Sequence, residues 1–522
     1  MIFLKKKILN LNTFFVFFIF FFSFLINSYY ASIGVFPIDT FAHYDSGYRI
    51  LNNQYPTREY WISSGIFIDF LESIFFKLMG VSWAAHLFHS SIINGFISIT
   101  FYFVLISLNL SKYYSLIYTL CFSILAYTIS GTPFVDHHAA FLLLFGVFFI
   151  VLAIIKNNFF FWILAPWFLG FSLITKQVPA AYFIILLVSV FPLYFSFKKN
   201  FNIHSVIFFS TIFFILFCLF LIKKLNLDPD AIYLQYFLYP QTIGTDRLAN
   251  LKSLKLSHFI NHYKFILVPL FILLIITINY IYKNNILLKS KKTFIYVLII
   301  LYSLALLFHQ ILTKNQIYIY FLCPLLFSFV NILLANRNKI NFFFLILSFF
   351  ITLKLHFEYN EKRKFHDLRD VNLSKFNKAE LIDNSLKGLN WITLSYKDSP
   401  SLEIKTLQNV MDYISKEKDP KMLITHYLFI SSILKQNLHS PSKFYTLDGV
   451  SFPLKGNKYY RDYKIFFTNI VNKNKISSIY LIKNEGISDL VVYDYLDNNC
   501  FVKQENNDLI IFKILKKCST NS

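Results

Sequence analysis

Most of this chain is written in apolar runs of 17–23 residues separated by short polar breaks. That length of helix crosses about 30 Å of hydrocarbon. Inside a bilayer every backbone polar group must be satisfied within the segment, so such runs fold as packed helices. The runs fall at about 11–33, 86–108, 114–130, 139–155, 159–174, 179–196, 205–222, 265–282, 293–312, 317–334 and 340–357. The fold class is therefore a polytopic α-helical membrane protein of about eleven spans. Met1-Ile-Phe-Leu-Lys-Lys-Lys precedes the first run. That run is too long for a signal-peptide core and lacks a small-residue cleavage site, so it reads as a retained first span.

Composition supports this class. Of 522 residues 56% are hydrophobic and 20% aromatic, beyond any ordinary soluble domain. The net charge of +22 would suit nucleic acid, but no basic stripe or stacking platform accompanies it. Lysines cluster instead in alternate loops: Lys5–Lys7, Lys112, Lys156, Lys198–Lys199, Lys283 with Lys289, Lys291 and Lys292, then Arg337 and Lys339. Under the positive-inside rule these loops are cytoplasmic, as is the N-terminus. Segments 34–85, 131–138, 175–178, 223–264, 313–316 and everything after 357 are then outside an inner membrane.

The chain divides at 357/358 into a transmembrane part and a polar tail. Strand-like pieces (Met422–Thr425, Ile476–Ile482, Leu490–Tyr493, Leu509–Ile514) alternate in the tail with helical ones (Ser401–Lys416, Tyr427–Gln436), predicting an extracytoplasmic α/β domain. Cys121, Cys218 and Cys323 lie in apolar runs and read as packing residues. Cys500 and Cys518 flank a predicted hairpin and pair if the compartment is oxidising. The segment 63–80 alternates charges and aromatics on opposite faces, which suits a helix lying in the membrane interface.

Chemistry-bearing residues concentrate in the outer segments. Asp39 and Asp45 stand in the first, where an ionisable group near lipid is a functional candidate. Asp39 is suited to act as general base on an acceptor hydroxyl or amine, whereas Asp45-Ser-Gly also reads as a turn. Asp136-His137-His138 opens a fresh apolar run and offers proton-transfer groups or a polar helix start. Contiguous residues cannot all face one ion from a helix, so the spacing does not indicate a divalent cation. Lys176-Gln177 and Lys314-Asn315-Gln316 each place one lysine in a very short outer turn, against the positive-inside bias. A solitary cation there suits a lipid-borne phosphate, or snorkels to the headgroups. Arg247 stands in an aromatic-rich outer loop with the same two readings. No P-loop, GxGxxG, HExxH or CxxC occurs, so neither ATP-driven transport nor zinc proteolysis is supported.

The layout resembles the GT-C superfamily of polyprenyl-phosphate-sugar-dependent glycosyltransferases, nearest its protein-mannosyltransferase and aminoarabinose-transferase-like branch. The Asp39 loop, the interfacial segment in 55–80, the acidic turn at Asp136, Gly170-Phe-Ser-Leu-Ile-Thr-Lys176-Gln177 and Thr313-Lys314-Asn315-Gln316 carry that resemblance over about residues 1–357. It implies an integral membrane glycosyltransferase with Asp39 as base and Lys176, Lys314 or Arg247 on the carrier phosphate. The implied partners are a polyprenyl-phosphate-linked sugar, a saccharide, lipid or protein acceptor, and the bilayer. Many relatives carry two adjacent acids in the first loop, whereas here Thr40 follows Asp39. Two rival readings stand beside this one. A transporter or flippase of lipid-linked saccharide needs ionisable groups at mid-span, and a non-catalytic cell-envelope assembly protein would not need Asp39.

Overall fold

The computed structural model describes residues 2–249, 255–283, 290–313, 318–334 and 337–515. Lys314, Gln316 and Cys518, all singled out above, lie outside them. Chain order runs through α1 (Ile2–Ala31), α2 (Pro37–Leu51), α3 (Ile66–Met79), α4 (Trp83–Ser107), α5 (Lys112–Leu125), α6 (Val135–Lys156), α7 (Phe159–Thr175), α8 (Gln177–Tyr194) and α9 (Phe201–Lys224). It continues with α10 (Pro229–Ile232), α11 (Tyr239–Ala249), α12 (Leu256–Lys283), α13 (Lys291–Thr313), α14 (Leu322–Leu333) and α15 (Asn338–His356). The described residues form two compact units, one of 1–31, 87–219 and 249–365, the other of 32–86, 220–248 and 366–522.

The first unit is the helical bundle. Each of the eleven apolar runs falls on a helix, and eight of these helices are long and apolar enough to cross a membrane. Helices α5, α7 and α14 are shorter, and polar caps open the first two. Ser111 accepts from the Tyr114 amide (3.3 Å) and Asn158 from the Phe160 amide (2.9 Å), fixing two starts. Helix α6 lies at the heart of this unit, with 83% of its apolar window buried, against 6% for α9. Phe208, Phe209 and Phe213 of α9 are more than half exposed. Such a surface is tolerable only where lipid rather than water covers it.

The second unit gathers the polar tail with two segments from earlier in the chain. Its tail carries the short strands β1 (Asn377–Lys378) and β2 (Asn390–Trp391), then α16 (Pro400–Lys416), β3 (Lys421–Ile424), α17 (Ile430–Leu434), α18 (Tyr460–Lys473), β4 (Ser478–Ile482), α19 (Leu490–Tyr493), β5 (Phe501–Glu505) and β6 (Leu509–Ile514). A four-stranded sheet runs β3-β4-β6-β5, parallel between β3 and β4 and antiparallel elsewhere. All residues of β3 and β4 are buried, although β3 is an edge strand, and the Leu423 amide on that edge donates to the Leu438 carbonyl (2.9 Å). Trp61 and Tyr239, from the two earlier segments, pack in the tail's own core with Tyr463 and Phe467.

Three sequence expectations need correcting here. Leu490–Tyr493 is a helical turn rather than a strand, since the Ser488 hydroxyl accepts from the Leu490 amide (3.2 Å). Residues 37–51 are a helix rather than a loop: Pro37 starts it, with its fixed φ and missing N–H costing nothing there. Asp45 is thus mid-helix and buried rather than in a turn. The segment 63–80 does hold an amphipathic helix, α3, but its charges face inward. Asp69 and Glu72 are fully buried while Leu78 is 76% exposed. The carboxylates find cationic and histidine partners inside the unit, which reverses the usual preference.

Candidate functional site

Each unit holds its own buried charged cluster. In the helical bundle the first turn of α6 presents Asp136, 1% exposed. Helix α7 ends at Thr175, and Lys176 and Val178 are extended before α8 proceeds. That break frees the Lys176 side chain from a helix face, and it donates to Asp136 Oδ1. Its side chain is 13% exposed. His309, near the end of α13, brings Nε2 to 3.2 Å from the same oxygen. Three helix ends thus converge on one carboxylate. Setting ions in an apolar bundle costs several kcal/mol each unless they are paired, as here.

The two histidines after Asp136 face elsewhere. The His137 Nδ1 lies 2.6 Å from the Ser130 hydroxyl, and its ring stacks on Phe141. His138 Nδ1 meets the Tyr127 hydroxyl, and its Nε2 lies 3.0 Å from His89 Nε2. Neither shares the Asp136 cluster. Gln177 is half-buried beside Lys176. Among the described residues no group of three His, Cys, Asp or Glu side chains is placed to hold a metal ion.

An apolar groove of ≈ 1000 Å³ opens on the same unit, lined by α8, α12 and α13. Tyr182, Leu186, Leu267, Leu304 and Phe308 contribute to it. Phe308 directly precedes His309, and Tyr182 lies within two turns of Lys176 on α8. Groove and cluster therefore share α13, and the groove's α8 begins directly after Lys176.

The second unit's cluster is denser. Asp69 accepts from Lys443 Nζ on one oxygen and lies 2.8 Å from His43 Nδ1 on the other. Glu72 Oε1 lies 2.7 Å from His86 Nδ1, whose Nε2 reaches the Thr40 carbonyl at 3.0 Å. Arg49 donates to Gln54 Oε1 (3.1 Å), the Ser440 carbonyl (2.7 Å) and the Glu59 carbonyl (3.0 Å), with its guanidinium 4.3 Å over the Tyr60 ring. Asp45 accepts from the Ser431 hydroxyl and lies 3.8 Å from Arg49. Burial raises the Asp45 carboxyl above the usual range, outweighing Arg49. Burial likewise lowers His43 and draws the Lys443 ammonium down, with the Asp69 carboxylate opposing both.

Asp39 also belongs to the second unit. It is half-buried in the first turn of α2. A carboxylate at a helix N-terminus is favoured in its ionised form by the helix dipole, typically by about 0.3–1 kcal/mol. Arg247 sits half-exposed in the last turn of α11, also in the second unit. The structure thus brings Asp136 and Lys176 together and adds His309. Asp45 joins a different cluster, in the other unit from Asp136. Cys500 is disulfide-bonded.

His309 was missed in the sequence. Its signal was present: His-Gln interrupting Leu-Ala-Leu-Leu-Phe within an apolar run. The Asp69–Lys443 pair had no such signal, since 374 residues separate the partners.

No protein-family model matches the chain, and no curated protein does. Among solved structures it is similar to ArnT from Cupriavidus metallidurans bound to undecaprenyl phosphate, with a TM-score of 0.47 and 10% identity over 98% of this chain and 99% of that one. The apo form of the same protein gives a TM-score of 0.46 and 11% identity over 99% and 100% of the two chains. No residue role is carried over from them.

Proposed function

We propose that this chain is a multi-pass inner-membrane glycosyltransferase that moves a sugar from a polyprenyl-phosphate carrier to an acceptor at the outer face. The observation that carries the reading is the Asp136–Lys176–His309 cluster with its neighbouring apolar groove. An ammonium held at helix ends beside an apolar groove matches the two halves of such a donor, a phosphate and an isoprenoid tail.

In the proposed reaction Asp39 removes the proton from the acceptor hydroxyl or amine as that atom attacks the anomeric carbon. The bond from that carbon to the phosphate oxygen breaks, and the carrier phosphate leaves with the electron pair. Lys176 stabilises the charge that develops on the departing phosphate, where a fixed cation acts most strongly. Asp136 and His309 hold Lys176 in place between turnovers. Arg247 and Lys314 are further candidates for the phosphate. Asp45 is less accessible than Asp39, being tied to Ser431 and Arg49 and only 4% exposed.

Transfer from a synthetic polyprenyl-phosphate-linked sugar by the protein in proteoliposomes tests the assignment. Asp39→Asn should lower turnover by about a hundredfold or more, the scale of a lost general base, with membrane insertion unchanged. Near-wild-type transfer by this variant would move the base to another carboxylate.

A further inference from the structure

The second unit carries an open cleft of ≈ 1620 Å³ that touches its charged cluster only through Gln54 and Glu59, both partners of Arg49. Its walls come from residues 52–61, 226–235 and 437–439 and from the face of α18. The lining is rich in amide side chains: Asn52, Asn226, Asn437 and Asn469 all reach it, and Asn52, Asn226, Asn437 and Asn469 are exposed to solvent. An amide offers a donor and an acceptor in one plane, which matches neighbouring hydroxyls on a sugar ring.

Charge narrows the occupant further. Glu59, Asp228, Asp230 and Asp462 face only Arg58 and Lys473, in a chain whose formal charge is +22. Glu59 and Arg58 pair with each other at 2.6 Å, so the remaining carboxylates outnumber Lys473. Burial lowers the cleft's His439 to about 4, keeping it neutral near pH 7. An acidic lining disfavours phosphate and uronate groups. The carboxylates are not placed to hold a metal ion.

Two residues of the cleft lining also carry a buried polar atom. Trp61 Nε1 and Thr57 Oγ1 are buried without a hydrogen-bond partner among the described residues, and both residues line it. Leaving such groups unmade costs about 1–3 kcal/mol each. Phe466 lies at the same wall, half-buried, edge-on to Trp61 with centroids 5.6 Å apart. Its free part is an apolar surface on which the C–H face of a pyranose packs.

We infer that this cleft is a binding subsite for an uncharged or amine-bearing oligosaccharide, the sugar portion of the acceptor. As an acceptor site it rests on the glycosyltransferase reading. Saccharide binding itself does not, and the two fail separately in the test. Full-length protein in nanodiscs is titrated with a glucosamine tetramer and, in parallel, with a galacturonate tetramer. The glucosamine tetramer should bind and the galacturonate tetramer should not. Asp462→Asn and Asn469→Ala should each weaken binding about tenfold, the value of one good hydrogen bond. Asn469→Ala changes no charge, so its loss separates sugar recognition from simple attraction of a cation. No binding, equal binding of both tetramers, or wild-type affinity in both variants would overturn the inference. Binding that survives while sugar transfer proves absent would instead overturn the enzyme reading alone.

Discussion

The two units bury the same kinds of side chain to different ends. In the helical bundle Lys176, Asp136 and His309 meet where three helices stop or break, beside an apolar groove. In the second unit Arg49 is held by two backbone carbonyls and a glutamine, and Lys443 reaches both Asp69 and the Ser64 carbonyl. These bonds stitch residues 49–69 to 440–443, beside the apolar contact of Phe41 with Trp391 and Phe429. A buried charge network that ties backbone to backbone supports architecture. One placed at helix ends with a groove alongside it is free to engage a ligand.

Asp69→Ala should have the largest effect, and on stability. It strands the buried Lys443 and removes the partner of His43, a loss of about 3–5 kcal/mol. Limited proteolysis should then cut rapidly within 421–482. If the variant resists proteolysis like the wild type yet loses sugar transfer, the comparison is broken and this cluster is the reactive one.

Lys176→Ala should do the opposite. Donor use should weaken by about 1–3 kcal/mol, read as a raised KM for the lipid-linked sugar, with a smaller loss of protease resistance than in Asp69→Ala because His309 still faces Asp136. An unchanged donor KM would return Lys176 to a lysine that merely reaches toward headgroups.

A smaller effect sharpens the contrast through pH. The Glu485 side chain, 3% exposed, accepts from the Thr425 hydroxyl (2.5 Å) and the His426 amide (2.6 Å). Burial raises its carboxyl to about 8. Between about pH 4.5 and 8 the folded state keeps a proton that the unfolded state has released. Stability contributed by this group therefore falls as pH rises across that window, by at most about 1.4 kcal/mol per unit. Glu485→Gln cannot titrate and should flatten the slope of the unfolding midpoint against pH. An identical slope in the variant would mean that Glu485 is ionised throughout.

The sequence and structure agree where a local rule operates. Apolar length placed all eleven helical runs, and the hairpin of Phe501–Glu505 with Leu509–Ile514 followed from alternation around a turn. Asp136 and Lys176 were legible because each breaks a local pattern, a charge at a span end and a lysine in a turn that the loop charges assign to the outer side. Their pairing was not legible, since 40 residues and a helical hairpin separate them. Helix α2 was hidden because its sequence, with three glycine or polar residues around Asp45, has the composition of a loop; its stability comes from burial against α3 rather than from propensity. The inward charges of α3 were unreadable for the same reason, their partners being Lys443 and His43 rather than neighbours along the chain.

The most direct measurement is a structure of the protein in nanodiscs with a polyprenyl phosphate bound. The expected result is density for the phosphate within hydrogen-bond distance of Lys176 Nζ, with the isoprenoid chain along Tyr182 and Phe308. A phosphate seated instead between Lys354 and Lys362, which line a separate cavity of the bundle, would contradict the assignment of the donor site.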